Sequence, residues 1–257
     1  MDLFSFPPIA ATLDGVYAFL MSITTFVHPV VGPASAAVAV ILLTLLVRTV
    51  LLPTGVAQAK ADQTRARLAP KLRALQKKYR GDRERLQRET MQLYADEKAS
   101  PLTGCAPVLI QAPIVGLVYA LFLHGSISGH PNALLTEHLL GVPLGASVTG
   151  LVGSGGMTLA SGAVFAGLIA AIAVVAEVTR RCFRPQPATE DSPLGGAGSA
   201  RLLGALQFAS AVSALFIPLA AGLYLLTTVT WTLGQRLLLR RRYPLTSPPH
   251  AGSPGPA

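Results

Sequence analysis

Apolar residues fall into long runs separated by charged stretches, and five runs approach the length of a membrane-spanning helix: 34–52, 105–123, 158–178, 202–217 and 219–235. A typical bilayer core is crossed by about 20 mostly apolar residues in helical form. The last two runs are slightly short and are divided by Pro218, which predicts a tight helical hairpin in a thinned or laterally shielded site. Upstream, Val16, Phe19, Leu20, Ile23 and Val27 recur at helical spacing. They predict an interfacial amphipathic helix along the outer leaflet before Pro29 and Pro33 turn the chain inward. The longest polar segment, 54–103, carries Leu68, Leu72, Leu75 and Tyr79 at steps of four, three and four, and Leu86, Thr90 and Leu93 resume the pattern beyond a turn at Gly81-Asp82. Two amphipathic helices with that seam zip together as a hairpin.

The predicted fold is therefore all-α: a polytopic membrane protein with five transmembrane helices, an outer-leaflet amphipathic helix and a cytoplasmic helical hairpin. Residues 1–33 form an extracellular amino-terminal segment and 34–242 the five-span core, with the coiled-coil hairpin at 54–103. The Pro- and Gly-rich stretch 243–257 is expected to be a disordered cytoplasmic tail.

Composition agrees, since 51% of the 257 residues are hydrophobic and 13% are charged, against about 25% charged in a soluble domain. Charge placement then sets the orientation. Apart from Arg48, every Lys and Arg lies in 60–98, 180–201 or 236–242. Short loops rich in Lys and Arg stay in the cytoplasm, which puts the amino terminus outside and the carboxy terminus inside, consistent with an odd number of spans. The net charge of +9 is then a cytoplasmic face toward anionic headgroups, and calls for no DNA-binding site. The first residues lack a basic start and include Asp2 and Asp14, so this segment is expected to stay attached rather than act as a secretory signal.

Arg48 stands out because it is the one basic residue of the first 59 and interrupts an apolar run. An arginine in mid-helix costs from about 3 kcal/mol on insertion scales to over 10 in simulation, so it faces water or a partner. Thr44 lies one turn earlier on the same face. Snorkelling is the competing explanation, because Pro53 is five residues on, about 7 Å at 1.5 Å per residue. Gln111 and Gln207 add amides that hydrocarbon penalises unless they meet each other, water or a bound polypeptide. Glu177 beside Arg180 and Arg181 reads as a cytoplasmic-end ion pair. Cys105 and Cys182 fall at cytoplasmic span ends without a histidine nearby in sequence, and His124, His130 and His138 have irregular spacing. Neither a nucleophile, a metal site nor a cofactor is expected, and no GxxxxGK[ST] phosphate loop is present. A small transporter or channel would also use a charged intramembrane site, but the sequence shows no inverted repeat.

Four segments carry a resemblance to the YidC-type membrane protein insertases, the family that includes the mitochondrial and thylakoid insertases. In SPLTGCAPVLIQAP, Pro101, Leu102, Gly104, Cys105, Pro107, Gln111 and Pro113 agree with the family; in ILLTLLVRTVLLP, so do Thr44, Arg48 and Pro53. The hairpin segments KLRALQKKYRGD and MQLYADEK resemble the family's cytoplasmic coiled coil, and Pro218, Gly222, Tyr224 and Gln235 fit its last span. Leu225 replaces an aromatic residue common there, and Val229 stands where the family usually has Asn. The resemblance implies an insertase without covalent chemistry or nucleotide hydrolysis in a bacterial plasma membrane. Its hydrophilic groove would be lined by Arg48, Thr44, Gln111, Gln207, Tyr119 and Tyr224. It also implies nascent membrane proteins and lipids as partners, with the ribosome, a targeting receptor and the Sec translocon as further partner classes.

Overall fold

The computed structural model describes residues 7–97, 99, 116–117, 119–127, 129–183 and 208–242. The predicted features at Gln111, Gln207, Cys105 and most of the 105–123 run lie outside the described residues. The chain divides into two compact units.

The first unit begins with α1 (Pro7–Val31), a 3-10 turn at Gly32–Ala34, and α2 (Ser35–Val50). α1 is longer than the apolar run predicted for it, and Pro29 lies inside its last turn rather than ending it. The change of direction falls at Gly32, whose φ of +60° is a left-handed conformation open to glycine at little steric cost. α1 packs back on α2. Leu13, Leu20 and Thr24 form its buried face, and Ala36, Ala37, Ala39, Val40 and Leu43 answer from α2. Small residues on α2 let the two backbones approach, as helix pairs in lipid require.

Residues 119–123 are helical and lead into a compact loop structure that helix periodicity did not foretell. Two short antiparallel pairs join β1 (Ser126–Ile127) to β2 (His130–Pro131) and β3 (His138–Leu139) to β4 (Val142–Pro143). A short helix, α5 (Val148–Gly153), follows. Asn132 ties this region to the preceding helix end, its Nδ2 donating to the Leu121 carbonyl at 2.7 Å and the His124 carbonyl at 3.0 Å. α6 (Leu159–Cys182) opens with a capping box in which Thr158 and Ser161 satisfy each other's backbone N–H groups.

The run predicted as a span over 202–217 is different in its described part. α7 (Ala209–Ser213) is a single short helix, and residues 214–217 turn before Pro218. α8 (Leu219–Arg242) is 24 residues long, seven beyond the predicted 219–235, because Arg236 to Arg242 continue the helix once past the apolar run. Its first turn is capped by the loop: Leu219 and Ala220 donate N–H groups to the carbonyls of Ala146 and Leu144 at 2.8 and 2.9 Å, removing two of the orphan donors at a helix start. Among the described residues, two helical stretches are long and apolar enough to cross a membrane, 7–50 and Leu159–Cys182.

The second unit contains the predicted hairpin, α3 (Leu52–Lys78) and α4 (Arg83–Asp96). Pro53 sits in the first turn of α3, where its missing N–H is no loss. Asp82 caps α4 by accepting from the Arg85 N–H at 2.9 Å. Ala61 and Leu68 are the buried residues of α3, while Glu97 closes the open end of the hairpin against Arg67 at 3.0 Å and against Lys71. The α8 portion of this unit approaches α3 at Gly55, where any Cβ would overlap the Gln235 carboxamide.

Candidate functional site

α2 presents Thr44 and Arg48 one turn apart, and the structure treats them differently. Thr44 is only 1% exposed, and its hydroxyl donates to the Val40 carbonyl of its own helix at 2.6 Å. Its polarity is satisfied locally, so it lines no open surface. Arg48, in the last turn, is half-buried and makes neither a hydrogen bond nor an ion pair among the described residues. Leu42, Leu46 and Val50 around it are exposed, which leaves a lone guanidinium on an otherwise apolar helix end.

The aromatic residues join the core. Tyr224 of α8 is buried and meets Phe122 with ring centroids 6.0 Å apart and planes tilted by 47°, within the usual range for aromatic pairs. Tyr119 is half-buried against the same apolar cluster. Gly222 brings α8 against α6: a Cβ there would stand 2.6 Å from Leu168 Cδ2.

Two polar groups on α8 complete this face and were not singled out from the sequence. Thr228 Oγ1 and Trp231 Nε1 are buried without a hydrogen-bond partner among the described residues. With Tyr224 they follow the i, i+4, i+7 spacing of one helix face. The legible signal was that spacing, masked by the hydroxyl-rich sequence Thr227-Thr228-Val229-Thr230-Trp231-Thr232. Neighbouring Thr227 and Thr232 spend their hydroxyls on the carbonyls of Leu223 and Thr228, both at 2.8 Å, whereas Thr228 does not bond back in this way.

At the far end of α6, Glu177 accepts from Arg180 through Nε and Nη2 at 2.7 Å and from Arg181 Nε at 2.6 Å, a local ion-pair cluster within one helix end. Among the described residues no group of three or more His, Cys, Asp or Glu side chains is placed to hold a metal ion.

Apolar helices long enough for a bilayer, an arginine without a partner among the described residues at the end of one of them, and a charged helical hairpin define a helical integral membrane protein. More narrowly, residues 26–246 match the model of the 60Kd inner membrane protein family, and the chain belongs to that family, the YidC-type insertases. It is 38% identical over 109 residues to the membrane protein insertase YidC of Clostridium perfringens, covering 42% of this chain and 44% of that protein. With the YidC of Oceanobacillus iheyensis it shares 35% over 137 residues, 48% of this chain and 52% of the relative. The chloroplastic inner membrane protein PPF-1 of Pisum sativum is 35% identical over 131 residues, 51% of this chain and 28% of that protein. The chain thus spans about half or less of the length of these curated relatives.

Proposed function

We propose that this protein is a membrane protein insertase that eases client transmembrane segments into the bilayer through a hydrophilic groove with Arg48 as its charge. The observation that carries the reading is the half-buried Arg48 guanidinium with no hydrogen bond or ion pair among the described residues. A cation held so has unspent capacity for an incoming carboxylate or polar backbone. An acidic or polar client tail pauses there, partly neutralised, while its apolar segment moves into lipid. Transfer of that segment out of water supplies the drive, so neither nucleotide nor covalent chemistry is needed.

On α8, the Trp231 Nε1–H can donate and the Thr228 hydroxyl can donate or accept once a client displaces the packing that buries them, while Tyr224, buried against Phe122, backs that face. Thr44, being covered, backs the Arg48 face rather than touching the client. Gln111 and Gln207 are proposed as the groove's amides, and Tyr119 as part of its wall. The amino terminus lies outside and the basic segments lie in the cytoplasm of a bacterial cell. There the α3–α4 hairpin receives clients from a ribosome, targeting receptor or Sec translocon. Trp231 also supports a client path shifted along α8, since Leu225 and Val229, which depart from the family pattern, lie within the two turns before it.

The test is insertion of a single-span client with an acidic amino-terminal tail into liposomes holding only this purified protein, scored by protease protection of the tail. Protection above empty liposomes, weakened by Arg48→Ala and restored by Arg48→Lys, is expected. Absence of protection would assign the protein to a chaperone or translocon-dependent role, and proton-coupled solute flux lost in Arg48→Ala would replace the insertase reading with a transporter.

A further inference from the structure

The β3–β4 hairpin is closed by the two-residue turn Leu140-Gly141, with φ of 51° and 81°. Both positions of such a turn need positive φ, which is why Asn, Asp and Gly dominate its first position. Leu140 is the one non-glycine residue with positive φ among the described residues, and its side chain is 77% exposed. A leucine there neither eases the turn nor fills a core. An outlier of this kind points to a role outside the fold's own stability.

The hairpin is fixed in place on several sides. β3 packs on Gly32–Ala34 and on α2, and β4 packs on α6. The chain just after β4 caps α8 through the Leu144 and Ala146 carbonyls, and Val142 and Leu144 are buried. The tip is therefore held rigidly at the shared end of three helices, the end remote from the Lys- and Arg-rich segments. Charge is nearly absent there, as Glu137 is the single charged residue between 99 and 176. The adjoining end of α1 exposes Phe26 at 84% and Val30 at 86%, so the tip belongs to an apolar rim that continues onto α1.

We infer that Leu140 is a lipid-contacting finger: the β3–β4 hairpin presses its tip into the headgroup and acyl boundary of the outer leaflet, setting the depth at which the outer ends of α2, α6 and α8 sit. Amphipathic elements at this boundary bury apolar side chains about 5–10 Å deep. The partner is a phospholipid surface, with no preference for anionic headgroups because the rim has no Lys or Arg.

The test places an environment-sensitive fluorophore on Leu140→Cys, in a chain with Cys105→Ala and Cys182→Ala, reconstituted in phosphatidylcholine vesicles without client. Blue-shifted emission quenched at least about twofold more strongly by lipids with a nitroxide near the headgroup than by aqueous iodide is expected. Dominant quenching by iodide would overturn the proposal, and so would shielding that arises only when a client is added, which would assign the tip to the client. A second variant, Leu140→Trp in a Trp231→Phe background, read by brominated lipids, keeps the test decisive if the chain with Cys105→Ala and Cys182→Ala does not fold. None of these readouts depends on Arg48 or on insertion, so failure here is distinct from failure of the insertase reading.

Discussion

Single residues in this protein are decided by what their polar atoms can reach. Arg48 has no bond among the described residues, and Arg48→Ala is expected to reduce insertion of acidic-tailed clients about fivefold, the effect of a partly solvated contact worth about 1 kcal/mol. Clients with neutral tails should be spared, and parallel protease-protection assays on the two tails check this. Thr44, by contrast, spends its hydroxyl inside its own helix, so Thr44→Val should change insertion less than twofold and stability by under about 1.5 kcal/mol. Gly222 is a steric case. Its Cβ space is taken by Leu168, so Gly222→Leu should cost about 1–3 kcal/mol through overpacking, seen as a lower thermal transition in detergent. Pairing Gly222→Ala with Leu168→Ala should behave as a coupled pair rather than a sum. Arg48 was legible in the sequence as a candidate, because a charge interrupts an otherwise apolar run. Thr228 and Trp231 were not, because their significance rests on a hydrogen bond that is missing, and periodicity does not record missing bonds.

At the scale of elements, the hairpin and α6 follow closely from heptad spacing and capping residues, while three boundaries moved. α1 passes through Pro29 and stops at Gly32; α7 closes at Ser213; α8 runs on to Arg242. Apolar length marks where a helix can be in lipid, whereas the helix itself ends where backbone bonds end, and arginines are good helix formers beyond the bilayer edge. The α3–α4 hairpin gives a pH prediction. Hydrogen bonding from Lys71, aided by the Lys71 and Arg67 charges, holds the Glu97 carboxyl below the usual glutamate range. A depressed folded value means this contribution is present above the ordinary glutamate pKa of about 4.3 and is lost as pH falls through the lower folded value. Protection of the amides at the end of α4, taken relative to their intrinsic exchange at each pH, should therefore fall on acidification below about pH 4. Glu97→Gln should exchange faster at neutral pH and lose that acid step.

For the whole molecule, the distribution of Lys and Arg is a statement about orientation. If the basic segments lie in the cytoplasm, Cys182 at the end of α6, half-buried and outside any disulfide, should resist a membrane-impermeant maleimide in intact cells and react after permeabilisation. Labelling in intact cells would reverse the topology. The membrane class, the charged helical hairpin, the lone arginine and the family were all determined by the sequence itself, because each is a local property of composition, period or motif. The tertiary structure alone decided which polar groups are spent and which are open, where α1 turns, and that the loop after residue 123 folds into two small hairpins capping α8. Those outcomes depend on groups far apart in the chain meeting at hydrogen-bond distance, as Leu219 N–H meets the Ala146 carbonyl at 2.8 Å. Such a meeting is a property of the fold, not of any stretch of residues read in order.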